Sequence, residues 1–248
     1  LCIPAAITDE VLNANLICLN KNNQQYIMHT VKIRSIQNVT HDVLQIRTEK
    51  PLSFKFTPGQ ATDVSINKRG WVDEKRSFTF TCLPQDDFLE FTIKIYSTHK
   101  GVTDQLLLLH ENDELVLHDV FGDIGYKGQG IFIAGGAGIT PFISIFRDLH
   151  SKNELSGNKL IFANKTESDI INKEEFDRLL GKNFINVLQE GNATGYEHGF
   201  ITDEIIRKNM NGHAEMFYVC GPPPMMEAVE KILAKLSINK NSIVKEAF

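Results

Sequence analysis

This sequence has few cysteines, no excess of positive charge and no long apolar run. Its four cysteines, Cys2, Cys18, Cys82 and Cys220, are scattered, without a C-x-x-C pair. That spacing excludes an iron–sulfur centre or a zinc ion held by clustered thiolates, and no resident metal is expected. With 26 Lys and Arg against 31 Asp and Glu, the net charge is −5, which argues against a chain made to wrap nucleic acid. No uninterrupted apolar stretch approaches the roughly 20 residues that cross a bilayer, and no charged start leads into an apolar core and cleavage site. A cytoplasmic protein with reduced thiols is the expectation.

What the chain does have is length and apolar content. At 248 residues and 42% hydrophobic content it can bury one large core or two smaller ones, and a usual domain size of about 100–150 residues favours two. Residues 1–27 form an N-terminal extension of unclear role. Within it Leu16-Ile17-Cys18-Leu19 precedes a polar run, Asn20 to Gln25, that reads as a linker. From residue 31 to about 120 short alternating runs follow one another: Val31 and Ile33, Leu44 and Ile46, Phe78 and Phe80, Leu89 to Ile95, Leu115 and Leu117. Period two means half-buried strands, and with turns at Pro51, Pro58-Gly59, Gly70 and Pro84 the spacing predicts a small antiparallel barrel or sandwich. One short helix, Thr103 to Leu109, interrupts it.

After Gly130 the rhythm changes. Ile131–Ala134, Leu160–Ala163, Phe184–Leu188 and Phe217–Cys220 are predicted strands that alternate with helices, one of them marked by Phe142, Ile145, Phe146 and Leu149. Such alternation implies a parallel sheet covered on both faces. The segment Phe121 to Gly130, with four glycines, is the natural joint.

Two segments carry the chemistry. The first, Gly135-Gly136-Ala137-Gly138-Ile139-Thr140-Pro141, joins a strand to a helix start. Glycines let a backbone approach a ligand, and free amides at a helix N-terminus favour an anion such as pyrophosphate. The dinucleotide fingerprint G-x-G-x-x-G is matched as Gly136-x-Gly138 and then meets Pro141, which suits a first helical position. The plain alternative is a glycine turn that only connects two elements. The second segment, Met216 to Met226, again runs from an apolar strand through a turn, Cys220-Gly221-Pro222-Pro223-Pro224-Met225, into a helix.

With Arg76-Ser77-Phe78-Thr79 upstream and Glu246-Ala247-Phe248 at the end, the order of these segments resembles the ferredoxin-NADP reductase superfamily, from about Met28 to Phe248. The likeness extends to flavodoxin reductases and NADH-dependent cytochrome reductases. It implies an antiparallel FAD-binding β-barrel, residues 28–126, followed by a Rossmann-like parallel-sheet NAD(P)-binding α/β domain, residues 127–248. It also implies FAD as cofactor, NADH or NADPH as hydride donor, and single electrons passed to a carrier such as flavodoxin, ferredoxin or a haem protein.

Residue by residue, the resemblance implies that Arg76 pairs with the flavin pyrophosphate beside Ser77, that Phe78 stacks on the ring system, and that the Thr79 hydroxyl bonds the reactive ring nitrogen. Guanidinium suits phosphate by charge-assisted hydrogen bonds. Tyrosine is common at position 78; phenylalanine keeps the stacking face and lacks the hydroxyl. Lys94-Ile95-Tyr96 and Gly101-Val102-Thr103 resemble a second flavin segment, with Thr103 also placed to cap the short helix. Gly135, Gly136, Gly138, Ile139, Thr140 and Pro141 form the dinucleotide turn. Cys220, Gly221, Pro222, Pro223 and Met225 are the nicotinamide wall, although a buried cysteine at a strand end is usually inert packing. Thr79, Cys220, Glu246 and Phe248 make the implied catalytic set: Glu246 supports a proton relay with Thr79, and Phe248 covers the flavin.

Nucleotide choice rests on Asn164, Lys165 and Thr166, which stand where an acidic residue commonly binds the ribose hydroxyls of NADH. Lys165 suits a 2′-phosphate, whereas Gly199 to Glu204 resembles the NADH-dependent cytochrome reductases, and the balance leans to NADH. Lys68, Arg69, Lys75 and Arg76 are candidates to dock the acceptor, although a charge run is more often a solvated face. The alternatives are the reductase component of an oxygenase, a non-catalytic interaction module, or a free-flavin reductase.

Overall fold

The chain changes architecture near residue 126 in the computed structural model, which describes residues 2–4, 15–19, 25–96, 101–192, 194–210 and 216–246, with side chains from Met28 on. Before that point the strands are β1 (Cys2–Pro4), β2 (Asn15–Leu19), β3 (Gln25–Thr40), β4 (Val43–Glu49), β5 (Ala61–Ile66), β6 (Arg76–Thr79), β7 (Phe88–Lys94) and β8 (Glu114–Phe121). They pair antiparallel in the order β1-β2-β3-β8-β5-β6, with β4 on β3 and β7 on β4. Alternation sends Val31, Ile33, Ile46, Val64, Phe80, Phe91, Leu115 and Leu117 into one barrel core.

Strand β5 carries no early signal. Only Val64 and Ile66 alternate there, among Thr62, Asp63 and Ser65. The extension proves to be part of this sheet, since β2 pairs with the start of β3 and β1 with β2. Gln25 belongs to β3 and pairs with Leu19; residues 20–24 of the polar run lie outside the described residues.

The short helix, α1, spans Val102–Leu106 instead of Thr103–Leu109. Val102 and Leu106 bury one turn apart, and the chain then turns so that Leu107 and Leu108 are exposed. Its N-cap is Gly101 with extended backbone and no side-chain cap bond, so Thr103 occupies the second helical position and does not cap the helix.

Beyond the joint, β9 (Gly130–Gly135), α2 (Thr140–Ser151), β10 (Lys159–Asn164), α3 (Lys173–Leu180), β11 (Phe184–Leu188), β12 (Glu197–His198), α4 (Asp203–Asn209), β13 (Met216–Cys220), α5 (Pro223–Lys235) and β14 (Ile243–Lys245) alternate. The strands run parallel in the order β12-β11-β10-β9-β13-β14. Both faces are buried: Phe132, Phe142, Phe146, Phe162 and Tyr218 fill one core, and Ile131, Ile133, Ile161, Ile205 and Leu233 the other. A 3₁₀ turn, Gly136–Ile139, leads into α2, and Pro141 sits second in the helix after Thr140 rather than first. Among the described residues no helix is long and apolar enough to cross a membrane.

The joint is fastened. The Tyr218 hydroxyl accepts from the Lys127 amide and donates to the Gly128 carbonyl, both at 2.7 Å. The barrel and the parallel sheet meet at α2, where Ser144 Oγ accepts from the Gly59 amide at 3.0 Å. Arg147 on α2 reaches Glu90 of β7 at 2.6 Å, the Thr81 carbonyl at 2.7 Å and Glu175 of α3 at 2.6 and 2.8 Å. Arg47 closes the second oxygen of Glu90 at 2.8 Å. The Glu90 side chain is only 1% exposed. Strand β7 is consequently buried on both faces along most of its length, where period two alone predicts a half-buried strand.

Burial works against both charges, but Arg147 holds the Glu90 carboxyl below its ordinary range, and Glu175 and Glu90 push Arg147 up. Removing one partner of such a pair strands the other. Arg147→Ala is expected to destabilise the fold by about 3–5 kcal/mol in urea unfolding. A depressed carboxyl contributes stability above its unfolded pKa of about 4.3 and loses it as pH falls through the lower folded value. The Glu90→Gln protein should show a weaker acid dependence of unfolding than the parent.

Candidate active site at the junction of the two sheets

Strand β6 ends against the turns that follow β9 and β13, and between them lies a cavity of about 470 Å³. Ser77, Phe78 and Thr79 form one wall; Gly135, Gly138, Thr140, Cys220, Gly221, Pro222 and Pro223 form the opposite one. Lys94, Tyr96 and Thr103 close the side. The site therefore draws on both halves of the chain.

The two turns touch because two glycines allow it. Gly136 has φ +51°, a left-handed conformation that favours glycine. A Cβ at Gly138 would lie 2.3 Å from the Cys220 carbonyl oxygen, so no other residue lets the 3₁₀ turn pack on the end of β13. Part of what the glycine motif does is thus packing of protein on protein.

A second cavity, about 750 Å³, opens along the carboxyl ends of β9, β10 and β11. Gly135, Gly136, Asn164, Lys165, Gln189, Phe200, Pro222 and Met225 line it from the parallel sheet, and His41, Asp42 and Lys94 from the barrel. Lys94 lines both cavities. Its ammonium lies 2.8 Å from Asp42, and this bond, outweighing burial, holds the Asp42 carboxyl below its usual value. His41 Nε2 is 3.7 Å from Asp42 and 3.8 Å from Asp169 across the junction. With Lys94 already against the carboxylate, this cluster has its cation.

The predicted residues divide into several groups. Ile95, Val102 and Ile139 are buried in the two cores and line neither cavity. Arg76 is exposed, and its guanidinium donates to the Lys75 carbonyl at 2.6 Å, while Ser77 Oγ donates to Asp63 at 2.7 Å. Thr166 has its hydroxyl and amide on Asp169 at 2.6 and 2.8 Å, a capping box that shapes the turn after β10. Lys165 pairs with Glu190 at 3.4 Å. Asn164 is 9% exposed, and among the described residues neither atom of its amide has a hydrogen-bond partner. Met225 packs against Gly135 and Gly221 and holds the two turns together. Phe248 lies outside the described residues.

Cys220 is 2% exposed, and burial, with the nearby Glu246 carboxylate, pushes its thiol up to about 12. Glu246 lies against Gly122 at the end of β8; burial raises its carboxyl, aided by the Asp123 charge and opposed by the Asp123 amide. His41, Asp42, Asp169 and Gln189 were not singled out by sequence. Gln189 was findable, because ligands of open parallel sheets sit beyond the carboxyl ends of the strands; the others depend on contacts between distant segments. Since a thiol near 12 holds almost no thiolate at pH 8, iodoacetamide at that pH should leave Cys220 and Cys82, also raised to about 12, unmodified in the native protein and alkylate both after unfolding, as read by peptide mass spectrometry.

Residues 28–145 match the family model described as an FAD-binding domain, and residues 132–231 match the oxidoreductase NAD-binding domain. The chain is 32% identical over 208 residues to NADH-cytochrome b5 reductase 1 of Mortierella alpina, covering 76% of this chain and 67% of that protein. It is 28% identical over 237 residues to the reductase component of propane 2-monooxygenase from Mycolicibacterium goodii, covering 88% of this chain and 66% of that one. The chain thus spans slightly less than two thirds of the monooxygenase reductase component, slightly more than two thirds of the cytochrome b5 reductase, and 27% of the Cucurbita maxima NADH nitrate reductase to which it is also similar. Among solved structures, the flavohaem-like FAD/NAD-binding domain of nitric oxide dioxygenase from Vibrio cholerae superposes with a TM-score of 0.79 at 20% identity, over 88% of this chain and 98% of that one. The cytochrome b5 reductase domain of Ulva prolifera nitrate reductase gives 0.76, also at 20% identity, over 88% and 97%. At these identities the likeness to the structures shows the shared fold.

Proposed function

Because this chain belongs to the ferredoxin-NADP reductase superfamily, with an FAD-binding domain joined to an oxidoreductase NAD-binding domain, we propose that it is an FAD-dependent oxidoreductase that takes hydride from NADH and passes electrons singly to a partner protein. The observation that carries this reading is the meeting of Thr79 and Cys220, from opposite halves of the chain, in one cavity. Residues 28–126 take the FAD role and 127–248 the nicotinamide role. A cytoplasmic setting suits the free thiols Cys82 and Cys220.

The cavity fits a flavin by the half-buried ring of Phe78, a face to stack on, and by the hydroxyls of Thr79 and Thr103 as donors, with the exposed guanidinium of Arg76 on the same strand as Phe78. Bound FAD supplies hydride acceptance and one-electron release. The protein supplies orientation. Thr79 would offer its hydroxyl to the bound flavin, and the Cys220-Gly221-Pro222 turn on the opposite wall would orient the nicotinamide against it. A protonated Cys220 thiol, uncharged and buried, keeps that wall dry. Glu246 sits behind it with a raised pKa, suited to hold a proton. Phe248 is assigned the covering role.

The partner is a one-electron carrier, and the likeness to reductase components of oxygenases, as well as to NADH-cytochrome b5 reductases, supports an oxygenase or haem protein as that carrier. The test is anaerobic mixing of the FAD-loaded protein with NADH and NADPH, followed by ferricyanide. Rapid bleaching by NADH and reoxidation by ferricyanide are expected, with Thr79→Val lowering the bleaching rate by about 10²-fold. A protein that retains no FAD and oxidises neither nucleotide would sink the proposal; loss of flavin on dialysis with activity on added flavin would replace it by a free-flavin reductase.

A further inference from the structure

We propose that Glu190 makes this protein select NADH over NADPH by occupying Lys165, the cation placed to receive a 2′-phosphate. The inference rests on the reading that the larger cavity takes the adenosine half of a nicotinamide dinucleotide. In a doubly wound sheet the residues at the end of the second strand face the ribose, and an acidic or a basic group there separates the two nucleotides. In this chain β10 fills that position and ends in Asn164 and Lys165, both lining the cavity.

The surroundings of those two residues differ. The Gln189 amide donates to the Asn164 carbonyl at 3.0 Å, and the Glu190 amide to the Lys165 carbonyl at 2.8 Å. These bonds tie the ends of β10 and β11 together and set Lys165 and Glu190 side by side, their charged groups 3.4 Å apart. Thr166, whose hydroxyl is engaged by Asp169, adds no donor toward a phosphate. A pair this exposed contributes little to stability. Its effect is on what can approach: a 2′-phosphate carries about 1.5 to 2 negative charges, and the Glu190 carboxylate, 3.4 Å from the Lys165 ammonium, offsets the attraction that ammonium would exert on it.

Asn164 adds no donor toward a phosphate either, because both atoms of its side-chain amide are buried. Selection against the 2′-phosphate thus falls on Glu190, which neutralises Lys165.

The experiment compares calorimetric binding of 2′,5′-ADP and 5′-AMP to the FAD-loaded protein with KM for NADPH and NADH. The parent should favour 5′-AMP and NADH. Glu190→Gln should shift the binding ratio toward 2′,5′-ADP by about tenfold and lower KM for NADPH in step. The double variant Glu190→Gln with Lys165→Ala should lose that gain. An unchanged ratio in Glu190→Gln, or a gain that survives in the double variant, would overturn the proposal while NADH turnover still stood. A parent that binds neither adenosine ligand and turns over neither nucleotide would overturn the reading beneath it as well.

Discussion

The buried contact between Arg147 and Glu90 is what makes one site out of two sheets. Glu90 belongs to a barrel strand and Arg147 to the first helix of the parallel half, and each would be costly to bury alone. Thr81, Arg47 and Glu175 take up further hydrogen-bonding positions of the pair, so the network is geometrically demanding. With Gly59 bonded to Ser144 along the same helix, α2 is held against the barrel. Thr140 at the start of that helix lines the smaller cavity, so the ion pair further along the same helix helps hold one part of its wall against the barrel.

The parallel half was readable because its strands are nearly continuous apolar runs. Ile131–Ala134 and Phe217–Cys220 are buried on both faces, so no register or partner was needed to see them. The barrel was readable where alternation is clean, as at Leu115 and Leu117. It was hidden where the outward residue is also buried: Glu90 looks like a solvent-facing charge until Arg147, 57 residues later, is brought to it. Strand β5 was hidden for the opposite reason, too few apolar residues, because Thr62 and Ser65 are buried polar groups within the sheet.

The site shows the same division. Thr79, Cys220 and the glycine turn were legible because short segments carry them, and each lines the cavity or frames it. Thr103 was legible as a hydroxyl near a helix start but not in its helical position, which depends on where Val102 and Leu106 find the core. Lys165 was legible as a cation and not as a paired one, since Glu190 reaches it only through the pairing of β10 with β11. His41 and Asp169 come together across the junction and leave no trace in local pattern.

Lys94 borders both cavities, with its charge shared by Asp42. An anionic group settling in either space draws on the same ammonium, and so alters what the other space can offer. Such sharing is reciprocal by thermodynamic necessity: whatever factor the first occupant applies to the second, the second applies to the first. The two compartments thus share one ammonium, carried by a single side chain standing between them.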